Sequence, residues 1–418
     1  MLRARPPIAG PFACRRGLVS CLGLVAVVLS AAACATSGQL RDPRSLALAL
    51  LVSPEDLWRH GPPEALSRVR SSPHSYYRFI SVPFNRLVCQ VFANDLAKSV
   101  RVNLHGDAHL EQYAVTSVGY GLIDFDSAAR GPAFLDLMRF AVSLRLAALE
   151  RGWASQTEAL LGRFLGGYRA ALVNPEVTWP EPRPVARARQ ALGADHPSAL
   201  GRAEGWMSPV PEGNQPPSLE AYAGAMRAAH PELGEGFFAV KRVGLLRMGI
   251  GSAVAPKYLF RVEGPTPAPE DDLVLEAKPI GSLAGVGCIE DAPRGPQVLV
   301  ANELLGRPPF RFSGTVTEDS ATYWVFEWAD AYAELDIRTS YANPAELAEV
   351  AADAGAQLGA AHLLVPGKPP DPGTRRELSH GLVRIQPRLG RRARMLADAV
   401  VRAWRDFGGD APLPAPSD

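Results

Sequence analysis

Apolar residues fall at three- and four-residue spacing from Leu46 to Leu57 and again from Leu87 to Leu96, with Pro62-Pro63 and Ser71-Ser72-Pro73 as breaks. Leu40 to Val100 therefore reads as mostly helical. The period then shortens. Val102 to Leu104 and Gly121 to Ile123 read as strands, followed by a helix from Ala133 to about Arg151 with Leu135, Met138, Val142, Leu146 and Leu149 on its buried face. A second helix, Gln156 to Leu172, buries Leu160, Leu161, Phe164, Leu165 and Tyr168. Asn174 to Pro217, punctuated by prolines, is expected to be a surface excursion holding one short helix. After a helix from Ser218 to Ala229 the pattern alternates, which predicts strands within Lys241 to Ser252, Lys257 to Val262 and Asp272 to Lys278. An apolar helix from Gln297 to Leu305, a β-type aromatic run from Tyr323 to Trp328, and amphipathic helices from Pro344 to Leu364 and Leu389 to Phe407 complete the pattern.

Each early strand ends in acids: His105-Gly106-Asp107-Ala108-His109 after the first, Asp124-Phe125-Asp126 after the second. Carboxylates converging from neighbouring strand ends repel unless a cation lies between them, and Mg²⁺ on oxygen ligands is the simplest such cation. His105, Asp107, His109, Asp124 and Asp126 would alternatively suit a transition metal and a hydrolase. Downstream, Gly249, Gly251 and Ser252 are expected to form a turn whose backbone N–H groups could approach phosphates, and Lys278, inside an alternating strand, needs an acidic partner or a phosphate. Glu303 is the first candidate partner; Glu276, on the same strand face, is the second. Tyr323 to Trp328 is read either as an inner strand or as the approach to an adenine-binding hinge. Arg78, behind Tyr76-Tyr77, is expected at the rim of an aromatic pair, although its guanidinium also suits an oxyanion. Asp136 is either a brace for N–H groups of the acidic loop or a first-turn acid favoured by the helix dipole. His362, on the small-residue face Ala354, Gly355, Leu358, Gly359 and Ala361, is expected to be a hydrogen-bonded packing residue.

The run His105-Gly106-Asp107, Gln112, Asp124, Gly131 and Asp136-Leu137 resembles the catalytic and metal loops of kinase-like phosphotransferases of the aminoglycoside and choline kinase type. With Ser72 to Arg78, Gly249 to Ser252, Lys278 and Gly359 to His362, the chain from about residue 55 onward resembles, more narrowly, the bacterial family called domain of unknown function 2252. The resemblance implies an α+β, two-lobed, protein-kinase-like fold. It assigns the acceptor hydroxyl's proton to Asp107 in the catalytic loop with His105, and Mg²⁺ to Asp124 with Asp126. Gln112 takes a second metal or loop-bracing position usually held by Asn, while Gly249, Gly251, Ser252, Lys278 and Glu303 hold ATP. Because the glycines and Lys278 follow the catalytic Asp here, the implied fold is circularly permuted. A catalytic helical lobe (55–235, with the insertion 174–217) comes first and a small β-rich nucleotide lobe (236–332) second; the C-terminal helices (333–408) return to the large lobe before a tail (409–418). The implied function is Mg-ATP-dependent phosphoryl transfer to a hydroxyl of a small molecule or protein. A non-catalytic nucleotide- or ligand-binding protein on the same fold is the alternative.

Residues 1–33 have the order of an export signal: arginines, an apolar run from Leu18 to Leu29, then Ala31-Ala32-Ala33 before Cys34. Arg15-Arg16 resembles a twin-arginine signal, and Cys34 is a candidate for lipidation, opening a tether and first helix over 34–54. The expected place is the periplasm or, through Cys34, the membrane. The 418-residue chain carries +1 overall; removing the leader's four arginines gives −3, which argues against nucleic acid or an anionic membrane face as the main partner. Of five cysteines only Cys89 and Cys288 lie beyond Cys34, so at most one disulfide can form, and two buried thiols are expected.

Overall fold

In the computed structural model, which describes residues 42–53, 63–193, 195–246, 256–318 and 321–409, the chain is a mixed α+β protein. The Asp42 carboxylate accepts from the N–H groups of Arg44 and Ser45, and Pro43 fills the first turn, so α1 (Pro43–Leu50) starts there. Next come α2 (Pro63–Arg70), α3 (Pro73–Phe79), α4 (Ser81–Val91) and α5 (Ala93–Leu96), with Ser72 capping α3 in the same way. Four short strands follow: β1 (Arg101–Leu104), β2 (Tyr113–Thr116), β3 (Tyr120–Leu122) and β4 (Ala129–Pro132). β1 pairs with β4 and β3 with β2, so the two acid-bearing strands belong to different small sheets.

Helices α6 (Phe134–Glu150) and α7 (Thr157–Val173) fall where the periodicity placed them, but α6 is buried nearly all round from Phe134 to Leu144. The expectation of a surface excursion over Asn174 to Pro217 is corrected. That stretch forms α8 (Arg183–Ala191), α9 (His196–Trp206) and the edge strand β5 (Met207–Ser208), and it buries Val185, Leu200, Ala203 and Met207. Its prolines are helix starters: both helices carry Pro in the first turn, and Asp195 caps α9 by accepting from Ser198 N–H at 2.9 Å.

Past α10 (Glu220–Ala229), the strands β6 (Val240–Leu246), β7 (Lys257–Val262) and β8 (Leu273–Pro279) precede α11 (Arg294–Leu305), β9 (Gly314–Glu318), β10 (Ala321–Glu327) and β11 (Tyr332–Glu334). The main sheet is antiparallel in the order β5-β6-β7-β8-β10-β9, while β11 joins β2. Alternation divides its faces. Phe260, Leu275 and Val325 pack with Tyr222 and Ala223 of α10; Leu259, Glu276, Lys278, Trp324 and Phe326 face the helical body. Tyr323 to Trp328 is thus an inner strand whose end also reaches the space between sheet and helices.

The chain closes with α12 (Pro344–Leu363) and α13 (Pro372–Asp406). Expected from Leu389, α13 starts at the Asp371 cap and runs through Pro387, because Leu378, Leu382, Ile385 and Leu389 keep one buried stripe across the proline. Cys89 of α4 and Cys288 of the β8–α11 connection, expected as thiols, form a disulfide with Cα atoms 5.5 Å apart.

Candidate functional site

The site begins where β1 ends. Gly106 has φ +82°, and a Cβ there would meet the Ser127 carbonyl oxygen at 1.9 Å, so the tight turn after Leu104 needs glycine. The turn aims two N–H groups at Asp136 in the first turn of α6: His105 N–H donates at 2.7 Å and Gly106 N–H at 2.9 Å. His362 Nε2 donates to the same carboxylate at 3.1 Å, and Tyr168 O–H donates to His362 Nδ1 at 2.9 Å. Asp136 is therefore the brace. Burial raises its carboxyl pKa, but the hydrogen bond from His362 leads the contributions that outweigh burial and hold it below the usual value.

His105, a candidate catalytic residue, is corrected to a positioning one. Its fully buried ring uses both nitrogens inside the loop, Nε2 donating to Ile123 O at 2.9 Å and Nδ1 accepting from Asp107 N–H at 3.3 Å. Asp107 does line the cleft. One of its oxygens takes both Nε (2.8 Å) and Nη2 (2.6 Å) of Arg139, a fully buried guanidinium lying 3.8 Å from the Tyr77 ring centre. Burial raises the Asp107 carboxyl and the Arg139 charge opposes it. His109 Nε2 lies 3.9 Å from the other Asp107 oxygen, and burial followed by the charges of Arg78 and Arg139 pushes its pKa far down, leaving it neutral.

Opposite, Asp124 has the left-handed backbone φ 71°, ψ 67°, which costs an Asp on the order of 1–3 kcal/mol. That conformation belongs to the turn that brings its carboxylate to the sheet. Lys278 Nζ of β8 contacts Asp124 directly and lies 2.8 Å from Asp126; Gln112 Nε2 donates to the second Asp124 oxygen at 3.3 Å. Lys278 is thus one cation that lies between these carboxylates. Burial disfavours the charged form of both partners, yet the pair outweighs it, holding Asp124 well below and Lys278 well above their ordinary values. Among the described residues no three His, Cys, Asp or Glu side chains gather at metal-binding distance. Glu303 is exposed on α11 while Lys278 is engaged by Asp124 and Asp126, so that pairing is also corrected. Glu276, two residues from Lys278 on the same face, is kept protonated to higher pH by burial, and burial with Lys278's charge lowers Lys257. Gly249, Gly251 and Ser252 lie outside the described residues.

Together these groups enclose a cleft of about 240 Å³ between the helical body and the sheet. Its apolar wall joins Phe310 to Trp324 and Phe326, whose rings lie 4.1 Å apart, and continues to Trp328. Arg78, expected at a rim, lines the other end, held by Glu111 at 2.8 Å and Glu334 at 3.5 Å. Sequence reasoning missed Arg139 and Lys257. The signal for Arg139 was a lone cation in the apolar run Phe134 to Leu144; for Lys257, a cation on the strand beside Lys278, with the parity that faces the cleft.

The fold and site define an α+β protein with an acidic, lysine-bridged cleft. Residues 63–198 match the model of the family described as uncharacterized protein conserved in bacteria (DUF2252), which supports the resemblance carried by His105 to Leu137. The match spans the acidic loops and α6 and stops before the strands bearing Lys257 and Lys278. No curated protein and no solved structure matches the chain.

Proposed function

We propose that the protein transfers the terminal phosphoryl group of ATP to a hydroxyl of a small molecule or protein, on a kinase-like, two-lobed fold whose halves are permuted in the chain. The observation that carries this reading is the meeting of Lys278 from the sheet with Asp124 and Asp126 from the helical body, in a cleft that also holds Asp107. The residues fit Mg²⁺: two carboxylates and the Gln112 amide are oxygen donors, and this ion takes few protein ligands and fills its shell with water and phosphate oxygens. When bound, it would neutralise charge on the phosphates. Lys278 and Lys257 then face the phosphates, and the wall of Phe310, Trp324, Phe326 and Trp328 offers aromatic faces to a base. In the step, the bond from the terminal phosphorus to its bridging oxygen breaks, its electrons staying on the nucleoside diphosphate. A new phosphorus–oxygen bond forms to the acceptor, and the hydroxyl proton passes to Asp107, which Arg139 holds in place. Positioning and electrostatics carry such chemistry, so no side chain need be reactive in itself.

A second reading, a binding protein without turnover, is favoured by the double engagement of one Asp107 oxygen by Arg139 and by Gln112 in the place of Asn. The Cys89–Cys288 disulfide supports an oxidising compartment, in keeping with the leader's export pattern, and ATP is scarce there. Thermal unfolding with ATP plus Mg²⁺, each alone, and beside Asp124→Ala tests the site. Ligand at about a hundred times its dissociation constant adds roughly 2.7 kcal/mol to stability. A shift that requires both ligands and vanishes in Asp124→Ala is the expected result; no shift from any combination overturns phosphoryl transfer from ATP and leaves a protein that binds another ligand. ADP formation that Asp107→Asn abolishes while keeping the shift separates catalysis from binding.

A further inference from the structure

We propose that the middle of α13 is a docking surface for an anionic phospholipid bilayer, with Arg384, Arg388 and Arg391 facing the headgroups. α13 holds nine arginines against Glu377, Asp398 and Asp406, a surplus of six, whereas the chain beyond residue 33 totals −3; everything else in that part therefore carries −9. No acid interrupts the helix between Glu377 and Asp398. So steep a separation within one chain is what an oriented approach to a charged surface requires, and net charge alone conceals it.

Geometry narrows the surface. Residues 384, 388 and 391 recur at the spacing of one helix face and all are exposed, while Leu382, Ile385, Leu389, Ala393 and Leu396 bury the opposite face. The flanking arginines are neutralised, Arg392 by Asp95 at 2.7 Å and Arg394 by Glu158 at 3.8 Å. Arg388 and Arg391 have no acid within ion-pair distance among the described residues. Arg384 donates to the Lys98 carbonyl at 3.3 Å, which brings Lys98 alongside.

Two observations select a bilayer as the occupant. Val383 stands 68% exposed beside these cations, and a mixed basic and apolar face suits the headgroup boundary. α1 packs against α13, and only the stretch from Cys34 to Asp42 separates α1 from the candidate lipidation site; at about 3.5 Å per residue it spans at most roughly 28 Å. An anchor at Cys34 would keep α13 near the surface it fits, and two weak signals together give stable attachment.

Flotation of the full chain with vesicles of phosphatidylcholine, and of phosphatidylcholine mixed with phosphatidylglycerol, tests this. Three variants are compared with the wild type: Arg384→Gln/Arg388→Gln/Arg391→Gln; the same three changed to Lys; and Arg183→Gln/Arg242→Gln/Arg311→Gln, which removes equal charge elsewhere. The leader is common to all four proteins and cancels. Wild type, the Lys variant and the control are expected to bind the anionic vesicles alike, with salt releasing them, and the Gln face variant about a hundredfold more weakly at low salt. Matching thermal midpoints would assign that loss to the surface. Equal binding by face variant and control, or no preference of the wild type for anionic vesicles, overturns the proposal.

Discussion

Asp136 joins three groups that sequence distance separates: His105 and Gly106 in the acidic loop and His362, 226 residues further on. Its carboxyl is held below the ordinary value of 3.8, so its contribution to stability is full above that value and is lost as pH falls through the folded pKa. Glu111 acts in the same sense: burial raises it, but His74 and then Arg78 outweigh that and hold it down to about 2 from 4.5. Stability is therefore expected to fall between pH 4.5 and 2. Asp136→Asn removes the charge and leaves one loop N–H without an acceptor, which should cost about 2–4 kcal/mol at neutral pH and flatten that acid limb. Urea midpoints across this range check it, and a variant as acid-sensitive as the wild type would assign the transition to other carboxylates. The local pattern left Asp136 between brace and dipole partner, because the residue that decides, His362, comes from the far end of the chain. Arg139 escaped for a related reason: a helix read as one-faced is enclosed on all sides, and its interior cation became visible only with its partner.

Long elements followed from periodicity, since a buried stripe repeats over many residues; strand pairing did not, because a four-residue strand carries too little pattern to name its neighbour. The pattern places β1 and β3 side by side, whereas they lie in different sheets; their acids still meet, because β4 returns to β1 and carries the chain from Asp124 back beside it. The packing of α7 on α12 explains the Gly359 to His362 motif. A Cβ on Gly167 would meet the Ala352 carbonyl oxygen at 1.9 Å, on Gly355 that of Phe164 at 2.1 Å, and on Gly359 that of Tyr168 at 2.6 Å. Small residues let the two backbones touch, and that approach brings His362 to Tyr168 and Asp136. Gly359→Val should push the helices apart, costing about 3 kcal/mol and weakening the ATP plus Mg²⁺ response through displacement of His362. Gly162, in the same pair of helices, has nothing within 4 Å of an added Cβ, so Gly162→Ala should stabilise by about 0.5–1 kcal/mol. Urea denaturation of both variants reads the contrast; equal destabilisation would mean that close approach is not what these glycines provide.

At the scale of the molecule, the question is what fixes the sheet against the helical body, since Lys278 and Asp124 lie 154 residues apart and share a site only if the two parts keep their registration. The disulfide is one tie: Cys89 belongs to α4 and Cys288 to the connection leaving β8, ten residues beyond Lys278. The same connection is held by Arg86, which donates to Ala284 O at 3.1 Å and Gly285 O at 3.3 Å, and by Arg101, which donates to Cys288 O at 2.8 Å. Two cysteines separated by 199 residues carry no sequence signal of pairing, because a meeting at that distance is decided by the whole tertiary arrangement. Closing so long a loop restricts the unfolded chain, so reduction, or Cys89→Ser/Cys288→Ser, should cost about 2–5 kcal/mol of stability. The loss should extend to the cleft, because the tie lies between the elements that bring Lys278 to Asp124, and the midpoint shift with ATP plus Mg²⁺ should shrink with it. Non-reduced peptide mapping establishes the pairing, and thermal midpoints with and without reductant measure its effect. A paired wild type whose midpoint and ligand response ignore reductant would mean that the arginine contacts alone register the two parts.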